Sequence, residues 1–179
     1  MRVIAGTWRG RPLGAPKGQT TRPTADRTRE ALFSMLTSRL GSFEELAVAD
    51  LFAGSGALGI EALSRGAKSC LFVEQDKPAL DALKANIAKL GATGAQVRAG
   101  SVMALGPAPQ PLDLILMDPP YGTGAGSVAL DKLGRLGWAG PATWISIETA
   151  KDEQIDVSGF TVDVSRVHGK ARLTLLRAA

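Results

Sequence analysis

The residues best equipped for chemistry stand at 115–121, Ile-Leu-Met-Asp118-Pro119-Pro120-Tyr121. An apolar run ends in a carboxylate, two prolines and an aromatic ring. Consecutive prolines restrict φ and remove two N–H donors, so the loop is stiff and the Pro119 carbonyl is free to face a ligand. Asp118 and that carbonyl can both accept hydrogen bonds from one –NH₂ group, while Tyr121 can stack on a planar ring. The set suits the exocyclic amine of a nucleobase. Such a nitrogen is a poor nucleophile because its lone pair is conjugated into the ring. Two acceptors can hold it and favour pyramidal geometry as it attacks. Taken alone, the string also reads as a Pro-Pro turn with an incidental acid.

A second constellation lies upstream, Asp50-Leu-Phe52-Ala-Gly54-Ser-Gly56-Ala-Leu-Gly59. Gly54 and Gly56 permit a tight turn and a close backbone approach, and a helix beginning there offers unpaired N–H groups. Glu74, 20 residues after Gly54, is placed to accept hydrogen bonds from ribose hydroxyls. Three readings compete: a packing turn, a nicotinamide or flavin nucleotide site, and a site for S-adenosylmethionine (SAM). Asp50 favours the third, because an acid beside the glycines repels a pyrophosphate and attracts the amino group of a methionine moiety. The methyl of a sulfonium is already activated. Positioning and charge stabilisation can then carry its transfer, with no metal required.

Both loops need strand ends to hold them. Apolar runs over Ala47–Phe52, Ser69–Val73, Ala95–Ala99, Leu112–Met117 and Thr143–Glu148 read as strands. Leu58–Arg65, Pro78–Leu90 and Val128–Leu136 read as helices between them, the second with Pro in its first turn and Gly91 at its end. Strands alternating with helices mean a mostly parallel sheet covered on both faces. Phe160–Val167 and Ala171–Leu176 form a closing antiparallel pair turned at His168-Gly169-Lys170, which makes seven strands. Both candidate loops then fall at the carboxyl edge, where open α/β sheets bind ligands. Ahead of the sheet, residues 1–23 are rich in Gly and Pro and read as a short basic hairpin arm. Residues 24–179 then form the folded domain. Its first helix is capped by Thr24 or Asp26 and carries Ala31, Leu32, Met35 and Leu36 as an apolar stripe.

Composition narrows the function classes. With 179 residues the chain is one domain, able to bury roughly two thirds of its unfolded surface. One cysteine, Cys70, excludes an internal disulfide and a Cys-based zinc cluster, and one histidine, His168, excludes a multi-His metal site. Cys70, inside an expected strand, reads as a buried apolar residue. No run approaches the roughly 20 apolar residues of a membrane span. The first residues are charged from Arg2 and lack an apolar signal core, which points to the cytoplasm. Net charge is +4, unevenly spread. Arg2, Arg9, Arg11, Lys17, Arg22, Arg27 and Arg29 crowd the first 30 residues, and Arg166, Lys170, Arg172 and Arg177 the last 16, while the body between is acidic. Such bias marks a docking surface for an anionic partner.

The combination resembles an amino-directed, SAM-dependent methyltransferase of the Rossmann-like class I fold. Arg2-Val-Ile-Ala-Gly6, Arg9-Gly-Arg11 and Thr21-Arg-Pro-Thr24-x-Asp26-Arg27-x-Arg29-Glu30-Ala-Leu-Phe33 resemble the start of the RsmD family. Asp50 through Gly66, Val73-Glu-Gln-Asp76 and Asp118-Pro-Pro-Tyr121 extend the match over essentially the whole chain. The N-terminal string is its most specific part, since the other motifs are shared with DNA amino-methyltransferases. RsmD proteins are bacterial 16S ribosomal RNA guanine-N2 methyltransferases. The resemblance implies SAM contacts from Asp50, Phe52, Gly54, Gly56, Glu74, Gln75, Ser101 and Asp118. It implies that Asp118, Pro119 and Tyr121 hold and stack the flipped guanine. Arg2, Arg9, Arg11, Arg22 and Arg27 would grip 16S RNA, within a small-subunit particle. Two positions depart from the family pattern. Gly100-Ser101 stands where an acid commonly faces the adenine amine, and His168-Gly169 where Tyr-Gly is usual. His168 then reads as a turn or RNA-edge residue, and Trp8 either stacks on RNA or packs down the arm. The competing functions are a DNA adenine-N6 or cytosine-N4 methyltransferase, a nicotinamide oxidoreductase and a non-catalytic RNA-binding module.

Overall fold

The computed structural model describes residues 1–18 and 23–179. Arg22 and the side chain of Thr24 lie outside the described residues. Helix α1 (Pro23–Leu40) precedes the alternating body: β1 (Ala47–Leu51), α2 (Ala57–Ser64), β2 (Ser69–Glu74), α3 (Lys77–Leu90), β3 (Ala95–Ala99), β4 (Leu112–Met117), α4 (Ala125–Arg135), β5 (Ala139–Ala150), β6 (Phe160–His168) and β7 (Ala171–Ala178). The sheet order is β3-β2-β1-β4-β5-β7-β6. β1 to β5 pair in parallel, and β7 runs antiparallel between β5 and β6.

The period-two alternation of each strand divides the core into two layers. Val48, Phe72, Leu114, Leu116, Leu173 and Leu175 point to the face covered by α1, α2 and α3. Ala49, Leu51, Val73, Ile115, Met117, Ile145 and Ile147 point to the other, covered by α4 and the short turn Val102–Ala104. Cys70 is fully buried in the first layer. Gly59 lets α2 lie directly on the sheet, since a Cβ there would stand 2.4 Å from the Phe72 ring and 2.6 Å from the Cys70 sulfur. α3 starts as its residues dictate. Asp76 caps it by accepting from the Ala79 N–H, and Gly91 closes it in the left-handed conformation.

Some boundaries differ from the sequence expectation. β5 begins at Ala139, ahead of Thr143, even though Gly140 and Pro141 read as breakers. A register shift between Leu112 and Leu114 absorbs them, and Thr143 Oγ1 closes the irregularity by donating to the Leu112 carbonyl and accepting from the Gly140 N–H. α4 starts at Ala125 because Gly124 takes up the left-handed entry. Asp26 does not cap α1. It pairs with Arg29 at 3.2 Å.

The N-terminal segment is a hairpin, with Arg2 bridged to Pro12 and a main-chain bond from the Leu13 N–H to the Met1 carbonyl. It is docked on the body. Val3 and Leu13 are buried in the first core layer, and half-buried Trp8 packs against it. Glu61 of α2, fully buried, holds the hairpin in place. Its carboxylate accepts from the Ile4 N–H at 2.9 Å, the Ala5 N–H at 3.1 Å and Arg65 Nε at 2.9 Å. Buried Arg29 lies 3.7 Å away and also donates to the Arg2 carbonyl. Ser64 donates to the Ala5 carbonyl and accepts from the Trp8 N–H. Gly6 has a φ of 89°, and a Cβ there would collide with the Ser64 carbonyl. Removing Glu61 leaves two main-chain donors unpaired and takes from buried Arg29 one of its two carboxylate neighbours. Glu61→Ala is therefore expected to cost about 3–5 kcal/mol, read as a fall in the urea midpoint. A loss below about 1 kcal/mol would contradict this account.

Candidate active site

A cleft of about 690 Å³ opens at the carboxyl edge of the parallel strands, a size suited to a small-molecule ligand. Its walls come from four neighbouring strand ends: Phe52 and Gly54 after β1, Glu74, Gln75 and Asp76 after β2, Gly100 and Ser101 after β3, and Asp118 to Tyr121 after β4. Glu148, near the carboxyl end of β5, and Pro16 of the N-terminal segment complete it.

The turn after β1 is held by two acids. Phe52 and Gly54 both have positive φ, 60° and 58°, so the main chain doubles back over the end of β1. Glu74 Oε1 accepts from the Gly54 N–H at 2.8 Å. Its Oε2 accepts from the Gln75 and Asp76 N–H groups. Three main-chain donors thus orient the carboxylate at the wall of the cleft.

Asp50 sits elsewhere than the sequence suggests. It is 1% exposed, beneath the turn, with Oδ2 accepting from the Gly59 N–H at 2.9 Å. It does not line the cleft. Burial is the largest cause that pushes its carboxyl well above the ordinary range, and Asp118 and Glu74 add to it. Asp50 shapes the glycine turn from below through its bond to Gly59. Gly56 is likewise a packing residue. It begins α2 at φ 90°, and a Cβ would lie 2.4 Å from Leu83. Ser101 lines the cleft, but its oxygen accepts from the Met103 N–H and caps the turn there.

The cleft therefore draws its charge from Glu74, Asp76, Asp118 and Glu148, and among the described residues no Lys or Arg lines it. That donor set disfavours a pyrophosphate and suits a cationic ligand carrying a ribose. SAM, a sulfonium that carries a ribose, matches that donor set.

Asp118 and Tyr121 lie on the open side. Tyr121 is 45% exposed and donates to Glu148 Oε2 at 2.5 Å. Asp118 has its carboxyl raised from 3.8 to about 8, first by burial and then by the facing Glu148 carboxylate. The Asp118 side chain is exposed on the cleft side, where water offsets part of that effect. The phenol of Tyr121 is raised as well, by burial and by its bond to Glu148. Pro119 is buried and fixes the loop that both residues share.

Glu148 is the site residue that sequence reasoning missed. Its signal was its place as the last residue of an expected strand, two strands from the glycine turn. Of the cationic residues expected to meet RNA, Arg9 and Arg27 are exposed. Arg2 donates to the Gly10 carbonyl at 2.7 Å and Arg11 to the Lys89 carbonyl at 3.2 Å, both with exposed side chains. Arg22 lies outside the described residues. In the basic tail, Arg177 stacks over Trp144 at 4.7 Å and Arg172 bonds the Lys151 carbonyl, so part of that charge serves the fold. His168 ends β6 at its turn, one residue before Gly169 at φ 59°.

The raised Asp118 has a measurable consequence. Between about pH 4 and pH 8 the folded chain keeps a proton there that the unfolded chain releases, so stability falls as pH rises through that window. Asp118→Asn removes the effect. Its melting temperature should exceed that of the parent protein at pH 8, with the gap closing toward pH 4. Thermal unfolding across that range checks it, and a gap independent of pH would refute it.

Comparison with known proteins follows the same lines. The sequence model of the family described as conserved hypothetical protein 95 matches residues 1–177. Ribosomal RNA small subunit methyltransferase D of Haemophilus influenzae is 38% identical over 160 residues, 87% of this chain and 81% of that protein. Its namesake in Escherichia coli K12 is 37% identical over 150 residues, 83% of this chain and 74% of that protein. A solved structure described as putative methyltransferase yhhF from Escherichia coli superposes with a TM-score of 0.85 at 32% identity, covering 99% of this chain and 97% of that one. A magnesium protoporphyrin IX methyltransferase from Synechocystis, with SAM bound, shares the fold at a TM-score of 0.69 and 15% identity, covering 90% and 87%. With its Rossmann-like methyltransferase fold and a match from end to end, the chain belongs to the conserved hypothetical protein 95 family, the RsmD family.

Proposed function

We propose that this protein transfers a methyl group from SAM to the N2 amine of a guanine in 16S ribosomal RNA. The observation that carries this reading is the joining of two half-sites in one cleft: a ribose-directed carboxylate, Glu74, and an amine-directed Asp118-Pro-Pro-Tyr121 loop. Relatives named as ribosomal RNA small subunit methyltransferases support the RNA substrate. When bound, SAM supplies a methyl whose bond to sulfur breaks, with the electron pair going to sulfur, as the amine lone pair bonds to carbon.

The chain's own residues position this step. Asp118 and the Pro119 carbonyl accept the two N2 hydrogens and draw the amine toward pyramidal geometry. Tyr121 offers a ring face to the extruded base, whose unstacking costs a few kcal/mol when it leaves a helix and less in a loop. The ionised Asp118 carboxylate takes the proton that leaves N2 and passes it to water, so turnover should rise with pH toward about 8. The loop is stiff before substrate arrives, so little reorganisation is left for the reaction. Residues 1–23 serve as the RNA-gripping arm of the 24–179 catalytic unit. The work belongs in the cytoplasm, on RNA or on a small-subunit particle, and it needs no metal. The other reading that the motif allows, a DNA amino-methyltransferase, lacks an obvious target-recognition insert in the sequence.

Labelled methyl transfer to RNA from cells lacking the activity, followed by nucleoside digestion, tests the reading. N2-methylguanosine is the expected product, and Asp118→Ala should lower its rate by about 10²–10⁴-fold. Label appearing only in N6-methyladenosine or N4-methylcytidine would reject it. The arm makes a separate prediction. Arg9→Ala with Arg11→Ala should weaken RNA binding and reduce the slope of log affinity against log salt by about 1–2, with SAM affinity unchanged. An unchanged slope in filter binding would remove these arginines from the RNA surface.

A further inference from the structure

β4 and β5 pair in parallel with Met117 beside Ile147, so the next rung places Asp118 beside Glu148. Strands in this arrangement lie about 4.8 Å apart. Their carboxylates face each other closely enough for Glu148 to be the main charged neighbour of Asp118. Glu148 is further fixed by Tyr121, whose hydroxyl donates to Oε2. Pro119 and Pro120 stand on the same wall. This side of the cleft therefore gathers three residues that carry acceptor oxygens, Glu148, Asp118 and Pro119.

Nucleobases differ in what they show such a row. The Watson–Crick edge of guanine places the N1–H donor directly beside the N2 amine. Adenine and cytosine place a ring-nitrogen lone pair beside their amines, and so does 2-aminopurine, which keeps the N2 amine but has no N1–H. A lone pair aimed at a carboxylate is repelled and leaves a buried acceptor unpaired. Sites built around such a hydrogen bond reject analogues lacking it by large factors. Flipped bases are read in this way, through the edge they expose.

We propose that Glu148 is the base-specificity residue of this site, accepting the N1–H of guanine while Asp118 and Pro119 hold the N2 amine. The proposal rests on the amine-methylation reading above and adds to it the reason why guanine is chosen. Tyr121 then has two tasks, to offer its ring to the base and to keep Glu148 turned toward the N1 position.

The test replaces the mapped target in full-length small-subunit RNA, by ligation, with either guanosine or 2-aminopurine riboside. Single-turnover methylation is measured for the parent protein and for Glu148→Gln, whose amide can donate to a ring nitrogen. The parent protein should methylate the guanosine RNA at least about 10²-fold faster than the 2-aminopurine RNA. Glu148→Gln should lose about 10²-fold on guanosine and lose less or gain on 2-aminopurine, so that the preference shrinks at least tenfold. Glu148→Asp keeps an acceptor and should retain the preference at a lower rate, which guards against a Gln variant that folds badly. If Glu148→Gln slows both RNAs equally, or if the parent protein treats them alike, the proposal falls while amine methylation stands. If the parent protein leaves the guanosine RNA unmethylated, the underlying reading falls with it.

Discussion

Everything in the cleft depends on parallel pairing around β1. Because β1 lies between β2 and β4, and β4 beside β5, four consecutive carboxyl ends reach the same edge. Side chains far apart in the chain, Gly54, Glu74, Asp118 and Glu148, thereby become neighbours within the spacing of a few strands. The arrangement needs central strands that can be buried on both faces. Val48–Leu51, Cys70–Val73 and Leu114–Met117 provide that with almost unbroken apolar runs. Asp50 is the exception, and it is tolerated because the Gly59 N–H bonds it within the turn.

The sheet and its order of elements were largely legible in the chain, since β-periodic and helix-periodic runs alternate and the hairpin at the end lacks a helix. β3 and β4 begin and end where the pattern puts them. The Asp118 loop and Glu74 were legible too, because a polar residue ending an apolar strand has few structural reasons to be there. Other features were hidden for physical reasons. Asp50 has the same sequence signature as Glu74, an acid at a strand end. Only the doubling back of Phe52 and Gly54 decides that one is covered and the other open. Glu61 and Asn86 look like surface residues of helices. They are buried because their partners are main-chain groups of the N-terminal hairpin, more than 50 residues away. Glu148 needed the register between β4 and β5, which no local pattern encodes.

The distribution of charge also gains a mechanical sense. Acids concentrate in the cleft, whereas many of the cations are carried on the hairpin, on α1 and on the last two strands. A polyanion that approached the cleft directly would be repelled by it, and on the proposed function one that lands on the periphery would present a single neutral base to the acidic wall. Asn86 joins the two regions. Its side chain bonds both main-chain groups of Gly14 in the hairpin and accepts no compromise on the other side, donating to the Ser55 carbonyl of the glycine turn.

The docked hairpin has a thermodynamic corollary. Basic arms that are disordered when free lose conformational entropy on meeting RNA and show the large negative heat-capacity change of coupled folding. Here Val3 and Leu13 are already buried, and the main chain is already bonded to Glu61 and Ser64. The cationic side chains of the hairpin are thus carried on a rigid backbone. On the proposed function, association with RNA should resemble the meeting of two preformed surfaces, with a small heat-capacity change and an electrostatic on-rate, and the geometry of the arm would fix which RNA contours it can accept.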